Sequence, residues 1–219
     1  MIKMRDICKV YGNKSVETRV LNALDLDIAE GEFICIYGPS GCGKTSLLNI
    51  IGLMDNYTQG RYSFDGFPIE NKEQPYFNKL RNNAFGYIFQ DFNLIKDLSV
   101  LENIEVPMGY GGVKKKLRSA RAKALLDQVG LSDKEKFFPD QLSGGEKQRI
   151  AIARAMANHP KVILADEPTG SLDQENGIKI MEILKSLNEE GTTIIMVTHD
   201  KLLSHYASRV IHIIDGHIL

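Results

Sequence analysis

The chain has 219 residues, of which 43% are hydrophobic and 25% are charged, with a formal net charge of −1. This composition is typical of a soluble protein with a packed core, and the near-neutral charge argues against a nucleic-acid partner. No apolar run is long enough to cross a bilayer, and the first residues lack the apolar region of a secretion signal. If the protein works at a membrane, we therefore expect another chain to provide the span.

The N-terminal part of the chain predicts a small antiparallel sheet. Ile2 and Met4 alternate with polar residues, and a second alternating run covers 24–28. A third run, 61–65, ends at an Asp65-Gly66 turn. Tyr11 follows the first strand, and two interpretations stay open for it: an ordinary half-buried tyrosine, or a platform on which a flat ring stacks.

The next segment is a glycine-rich turn between a strand and a helix. The apolar run 33–37 leads into Gly38-Pro39-Ser40-Gly41-Cys42-Gly43-Lys44-Thr45, and an apolar helix begins near Ser46. The glycines let successive N–H groups point at one anion, and the helix N-terminus adds partial positive charge there. Lys44 can reach the β- and γ-phosphates, and the Thr45 hydroxyl can bind Mg²⁺. The sequence therefore predicts a nucleotide-binding protein with ATP-like phosphates and magnesium at this loop.

After this helix the chain predicts a short helix over 74–82 and an apolar strand over 85–89, which ends at Gln90. A polar residue just past a buried strand sits where open α/β sheets collect their ligands.

Residues 93–157 are predicted to be mostly helical. A helix is indicated by apolar residues that recur at helical spacing and stop at Gly130: Leu117, Ala120, Ala124, Leu125 and Val129. A loose linker before it is indicated by Pro107, Gly109, Gly111 and Gly112. The basic run 114–116 is either a solvated face or a contact with anionic lipid.

A second candidate anion site lies at Ser143-Gly144-Gly145-Glu146. Ser143 and Glu146 have the spacing of a capping box, so a helix should begin here. The two glycines at the cap leave backbone N–H groups uncovered, so that an anion can bind to them.

The last third carries buried strands with polar ends. Asp166 and Glu167 follow the apolar run 162–165, and His199 follows the run 192–197. We expect these three residues to lie at the same edge of the sheet. Asp166 can hold Mg²⁺, while Glu167 can deprotonate a water that faces the γ-phosphate. The helix between these strands carries apolar residues at core spacing: Ile178, Met181, Leu184 and Leu187.

Taken in order, these motifs resemble those of the ABC-type ATPase subunits over essentially the whole chain. The motif Leu142–Glu146 between the two nucleotide motifs carries most of that resemblance. Residues 89–94, 98–104 and 165–173 further resemble the macrolide-exporter and lipoprotein-release branch, in which Asn is common where this chain has Ser171.

The resemblance implies a fold and an assembly. The fold is α/β, of the P-loop NTPase type, with a mostly parallel core sheet, a flanking antiparallel β-subdomain and an inserted helical subdomain. Residues 1–219 would be one domain, in which 1–92 and 158–219 form the nucleotide-binding core and about 93–157 the helical part. The partners would be a second copy of the chain, forming an ATP-sandwiched homodimer, and an integral membrane permease at the cytoplasmic face of the membrane.

The resemblance also implies a role for each site residue. Tyr11 would stack on adenine, residues 38–46 would hold the phosphates, and Thr45, Gln90 and Asp166 would bind Mg²⁺. Glu167 would be the general base, assisted by His199 and Gln90, with His199 on the γ-phosphate. A nucleotide held by the second copy would be bound by Ser143, Gly144, Gly145 and Glu146, with Asp173 linking the two sites.

The function implied is ATP hydrolysis that powers export or extraction of peptides, antibiotics or lipoproteins. An alternative within the branch is an ATPase that drives transmembrane signalling in cell-wall remodelling or cell division, which nothing in the sequence excludes. A soluble relative acting on DNA or ribosomes would carry a long coiled-coil insertion or a second ATPase half, and neither is present. A regulator without turnover is disfavoured because both Glu167 and His199 are present.

Overall fold

The fold contains two sheets with helices around them. The computed structural model describes residues 1–13, 16–70 and 75–219. The strands are β1 Ile2–Asn13, β2 Val16–Ile28, β3 Phe33–Tyr37, β4 Gln59–Phe64, β5 Phe67–Ile69, β6 Phe85–Ile88, β7 Val162–Asp166, β8 Thr193–Thr198, β9 Arg209–Ile214 and β10 His217–Ile218. The helices are α1 Lys44–Ile51, α2 Pro75–Ala84, α3 Val100–Tyr110, α4 Lys115–Gln128, α5 Gly144–Ala155 and α6 Gln174–Glu189.

The first sheet is antiparallel, in the order β2-β1-β4-β5. Its strands bury one face, since Ile2 and Met4 are fully buried while Lys3 between them is exposed. Asp65 and Gly66 both have positive φ, 50° and 81°, in the tight turn between β4 and β5. The predicted antiparallel subdomain and its Asp65-Gly66 turn are confirmed.

The second sheet has the order β10-β9-β3-β8-β7-β6 and is parallel except for the β9–β10 pair. Both faces of its central strands β3, β8 and β7 are buried, because alternate residues enter different cores. Phe33 and Cys35 face the core that contains α5 and α6, whereas Ile34 and Ile36 face the core that contains α1 and the antiparallel sheet. A sheet covered on both faces needs the continuous apolar runs seen in the sequence.

The helical region follows the sequence prediction, with one error. Helix α3 begins at a capping box formed by Ser99 and Glu102, and α4 ends just before Gly130, whose φ is 67°. The predicted linker is wrong for Pro107 and Gly109, which lie inside α3. The Pro107 carbonyl accepts hydrogen bonds from the side chains of Asn82 and Asn158, at 3.2 and 3.1 Å, so tertiary contacts hold the helix through the proline.

One further detail differs from the sequence pattern. In α6, Met181 and Leu184 are buried as expected, but Ile178 is 50% exposed and is not a core residue. The predicted helix over 74–82 corresponds to α2, while Gln74 lies outside the described residues. Within the described ranges, every helix is too short or too polar to span a bilayer.

Candidate nucleotide-binding site

The candidate site lies where the parallel strands end. Strand β3 leads into the loop 38–45, β7 ends at Asp166, β8 ends just before His199, and β6 ends shortly before Gln90. Because these strands are parallel, their carboxyl ends share one edge of the sheet. The structure therefore brings the predicted loop, acidic pair, histidine and glutamine to one edge.

The loop 38–45 has a backbone that side chains would disrupt. Gly41 and Gly43 have φ values of 80° and 103°, which favour glycine. A Cβ added to Gly38 would lie 2.2 Å from the Ile213 carbonyl oxygen, and one added to Gly43 would lie 2.7 Å from the Val20 carbonyl oxygen. Strands β2 and β9 thus pack directly against the loop and fix its path.

Lys44 is a buried cation that uses carbonyls as partners. It is 7% exposed, and its Nζ donates to the carbonyl oxygens of Gly38 and Pro39 at 2.7 and 2.8 Å. No described carboxylate forms an ion pair with it. An ammonium group has three donors, so a buried one without a counter-ion favours an anion such as a phosphate at the loop.

Thr45 and Asp166 place two oxygen ligands side by side. The Thr45 hydroxyl donates to Asp166 Oδ1 at 3.2 Å. Burial raises the pKa of Asp166, and the charge of Glu167 adds to that rise. No described cluster of three or more His, Cys, Asp or Glu residues could hold a metal by itself. This pair fits Mg²⁺, which usually uses one or two protein oxygens together with phosphate and water.

Glu167 is held from both of its carboxylate oxygens. Its Oε1 lies 2.8 Å from His199 Nδ1, and its Oε2 accepts a hydrogen bond of 3.1 Å from the Thr198 hydroxyl. Thr198 is buried and also accepts from the Asp200 N–H at 3.0 Å. Glu167 itself has a φ of 46°, which few non-glycine residues adopt. The backbone and Thr198 together aim this carboxylate at the sheet edge.

Gln90 begins a segment with an unusual backbone. Its carbonyl oxygen accepts a 2.9 Å hydrogen bond from the Ser171 hydroxyl. Phe92 and Asn93 have φ values of 61° and 48°, and Arg154 of α5 donates to both of their carbonyl oxygens. The Gln90 side chain itself is exposed at the edge.

The second predicted anion site is a capped helix end. The Ser143 hydroxyl accepts from the Glu146 N–H at 3.3 Å, and Glu146 Oε2 accepts from the Ser143 N–H at 2.9 Å. A Cβ on Gly145 would lie 2.5 Å from Asn176 Oδ1, and one on Gly144 would lie 3.3 Å from Leu172 Cδ2. The N-terminus of α5 therefore packs on the start of α6. Among the described residues, no hydrogen bond or ion pair joins 143–146 to 38–45.

Asp173 caps α6 beside this helix end. Its Oδ1 accepts from the Asn176 N–H at 2.9 Å, and its Oδ2 accepts from the Asn176 side chain at 2.7 Å. Asn176 thus touches both Asp173 and the N-terminal turn of α5.

Three residues of structural importance near the site were not recognised from the sequence. Gln148 is buried in α5 and donates to the Pro168 carbonyl oxygen at 2.6 Å. Its position in the middle of an otherwise apolar helix face was the available signal. Lys9 and Asp55, which lie near Tyr11 and Ser46, carried no such signal because they are far apart along the chain.

The comparisons with known proteins agree with this geometry. The family model described as "ABC transporter" matches residues 21–170. The chain belongs to the ABC transporter family. It is an ATP-binding ATPase of that family, and the predicted family, fold class and enzyme activity are confirmed.

Its relatives include several ABC proteins. The uncharacterized ABC transporter ATP-binding protein MJ1508 of Methanocaldococcus jannaschii is 49% identical over all 219 residues, which cover 98% of that protein. The macrolide export ATP-binding/permease protein MacB of an Azoarcus species is 44% identical over the whole chain, which covers 33% of that protein. Among solved structures, the dimeric, post-hydrolysis cassette MJ0796 bound to ADP and Pi matches all of this chain and 96% of its own, with 41% identity and a TM-score of 0.92.

Proposed function

We propose that this chain hydrolyses ATP as a homodimer and thereby powers a separate membrane permease. The observation that carries the proposal is the position of Glu167, fixed by Thr198 and His199 at the same sheet edge as Lys44 and the Thr45–Asp166 pair. A general base, a buried cation and a magnesium-compatible oxygen pair there suit the hydrolysis of a nucleoside triphosphate.

The residues divide the chemistry among themselves. The backbone of 38–46 and Lys44 bind the phosphates, and Thr45, Asp166 and Gln90 would hold Mg²⁺. When bound, Mg²⁺ supplies positive charge against the phosphate oxygens. Glu167 takes the proton of the attacking water. His199, whose side chain is 63% exposed, can turn to the γ-phosphate.

The homodimer is proposed because the two anion-binding helix ends are separate within one chain. The N-terminus of α5 packs on α6 and, within the described part of the chain, makes no hydrogen bond or ion pair to the loop 38–45, so it is free to bind the γ-phosphate held by a second copy. In that arrangement Ser143, Gly144, Gly145 and Glu146 complete the partner's site, and Asp173 lies between the sites. The dimeric assembly of the similar cassette MJ0796 supports this arrangement.

A permease would contact the groove between the core sheet and the helical region. This groove has a volume of about 730 Å³, and its lining includes Met54, Asn82, Tyr87, Phe89, Pro107 and Tyr110. It lies beside the segment that begins at Gln90, so a partner seated there would sense changes at the Mg²⁺ ligand. The groove joins the proposed core, 1–92 and 158–219, to the proposed helical part, about 93–157.

The relatives support the choice of partner and location. MacB proteins, by their name, combine an ATP-binding part with a permease. We therefore place the chain at the cytoplasmic face of a membrane, held there by its permease, with peptides, antibiotics or lipoproteins as the exported class. The alternative is that the chain drives transmembrane signalling in cell-wall remodelling, which identification of its membrane partner would reveal.

Replacing Glu167 with Gln tests the function. The variant should bind ATP normally and hydrolyse it about 100- to 10,000-fold more slowly, the usual contribution of a general base. Because the trapped ATP would hold two copies together, light scattering should show a dimer with ATP and a monomer with ADP. Hydrolysis near the wild-type rate would show that Glu167 is not the general base. A variant that stays monomeric with ATP would contradict the proposed dimer.

Cross-linking in native membranes then identifies the partner. A permease recovered with this chain would support transport, and a complex with an activator of cell-wall hydrolases would favour signalling. Recovery of soluble partners alone would contradict the proposed membrane role.

A further inference from the structure

Four polar side chains meet beside the first turn of α1. The Tyr11 hydroxyl donates to Asp55 Oδ2 at 2.6 Å and lies 3.3 Å from Ser46 Oγ. Lys9 donates from its Nζ to Asp55 Oδ1 at 2.6 Å and to the Asn56 carbonyl oxygen at 2.6 Å. Asp55 therefore binds both a cation and the tyrosine.

The cluster is partly buried, which makes these contacts stronger than surface ones. The Lys9 side chain is 9% exposed and the Asp55 side chain is 28% exposed. Burial alone would raise the pKa of Asp55, but the hydrogen bonds from Lys9 and Tyr11 outweigh it, so the pKa is lowered. Burial, together with the bond to Asp55, raises the pKa of the Tyr11 hydroxyl. Tyr11 is thus the donor to a charged acceptor, in a charge-assisted bond.

The ring of Tyr11 has one face occupied and a surface still open. The Lys9 ammonium lies over the ring, 4.5 Å from its centre. Tyr11 is nevertheless 41% exposed. Tyr11 cannot change rotamer without losing three contacts: the hydrogen bond to Asp55, the contact with Ser46 and the contact of its ring with the Lys9 ammonium. Its exposed part is therefore held in one position beside the helix that follows the phosphate loop.

We propose that Asp55, together with Lys9, positions the Tyr11 ring as the stacking surface for the nucleobase of the bound nucleotide. The inference rests on the proposed function and names a residue that touches neither base nor phosphate. Asp55 acts through Tyr11, and the contact with Ser46 fixes the ring to the same helix that binds the phosphates. The spacing between the base and phosphate sites is then set before any nucleotide arrives, which reduces the ordering cost of binding.

The test compares a ligand that has a base with one that has none. Binding of ATP and of inorganic tripolyphosphate, each with Mg²⁺, is measured by calorimetry for the wild type, Asp55→Asn, Tyr11→Ala and the double variant. Asp27→Asn is the matched control, because Asp27 also pairs with a cation on β1, Arg5, at 2.6 Å, and lies elsewhere in the sheet. Thermal melting confirms that each variant is folded.

Tyr11→Ala should weaken ATP binding about 5- to 100-fold, as the loss of a base–aromatic stack does. Asp55→Asn should weaken it about 3- to 10-fold, because the amide oxygen of asparagine can still accept a weaker, uncharged hydrogen bond from the Tyr11 hydroxyl. Tripolyphosphate binding should change less than about twofold, and the double variant should bind ATP no more weakly than Tyr11→Ala, because coupled residues are not additive.

Each of the other possible results would contradict one of the proposed roles. An equal loss of ATP and tripolyphosphate affinity in Asp55→Asn would show that Asp55 acts on the phosphate loop, and an unchanged ATP affinity would remove its role. If Asp55→Asn has its full effect in the Tyr11→Ala background, it does not act through Tyr11. If Tyr11→Ala itself binds ATP normally, the proposed adenine site is wrong, whereas loss confined to Tyr11→Ala defeats only the role of Asp55.

Discussion

The surroundings of Asp166 disfavour the ionised form of its carboxyl group. The strand before it is buried, and desolvation together with the charge of Glu167 raises its pKa above the ordinary value of 3.8. A carboxyl group whose pKa is higher in the folded chain than in the unfolded chain lowers stability at neutral pH. That cost disappears as the pH falls through the folded-state pKa, because the proton then binds the folded chain more tightly.

Asp166→Asn should therefore stabilise the protein while it disables the magnesium site. At pH 7 and without nucleotide, the melting temperature should rise by about 2–4 °C, the change expected for about 1 kcal/mol in a chain of this length. The partial exposure of Asp166 screens the effect and favours the lower end. The difference from the wild type should shrink as the pH is lowered towards 3.8.

The control for this prediction has the opposite sign. Arg5 lowers the pKa of Asp27 by hydrogen bonding to it at the surface, so Asp27→Asn should not stabilise the chain at pH 7. A lower melting temperature for Asp166→Asn, measured beside this control, would mean that the Thr45 hydrogen bond outweighs the cost of burial.

At the scale of elements, α5 holds the segment that follows Gln90. Arg154 donates to the carbonyl oxygens of Phe92 and Asn93, both of which have left-handed backbones. Burial lowers the pKa of Arg154 to about 10, and no described carboxylate pairs with it. Helix α5 therefore has the predicted second anion site at its N-terminus and contacts the segment after Gln90 near its C-terminus.

Arg154→Met should loosen this segment without removing the helix. Methionine keeps the length of the side chain but loses the donors to two carbonyl oxygens, so the positive-φ conformation at 92–93 loses its support. Hydrogen exchange of backbone amides in 89–94 should become at least about 10-fold faster, as expected for a loss of more than 1 kcal/mol in local stability. Exchange in β3 should stay unchanged.

Arg154→Lys serves as the comparison, since it keeps the charge and one group of donors. It should show an intermediate exchange rate. Equal protection of 89–94 in the wild type and Arg154→Met would show that the segment keeps its shape without the arginine.

The sequence predicted most elements because their patterns are local. Alternating residues gave the strands of the antiparallel sheet, and Ser143 with Glu146 gave the start of α5 from side chains three residues apart. Pro107 was misplaced because local rules treat proline as an end, whereas Asn82 and Asn158 stabilise it from other elements. The pairing of Lys9 with Asp55 could not be foreseen, because it joins residues brought together only by the fold.

At the scale of the whole molecule, the proposed head-to-tail dimer makes a test possible with two inactive chains. Lys44→Ala should lose nucleotide binding at its own loop, and Ser143→Asp should repel the phosphate held by its partner. Aspartate caps a helix as well as serine does. It would also face Glu146, whose Oε2 accepts from the Ser143 hydroxyl at 2.8 Å, so thermal melting must first show that the Ser143→Asp chain is folded. In a mixed dimer, one site would combine the intact loop of the Ser143→Asp chain with the intact helix end of the Lys44→Ala chain.

Each variant alone should be inactive, and an equal mixture should recover about a quarter of the wild-type ATPase rate, since half of the dimers are mixed and each has one intact site. Ser99→Asp changes the equivalent cap of α3 and should leave activity unchanged. A mixture no more active than its components would contradict the exchange of helix ends between copies.

The tight contact between the phosphate loop and β9 also governs when the loop can form during synthesis. The ribosome has made all of 38–45 early, yet Gly38 packs against the Ile213 carbonyl oxygen and the Gly216 N–H donates to the Cys42 carbonyl oxygen. Strand β3 is also flanked by β8 and β9, which are translated more than a hundred residues later. A nascent chain therefore carries the whole phosphate-binding motif long before the strands that flank it exist, and we expect nucleotide binding only after β9 has left the ribosome.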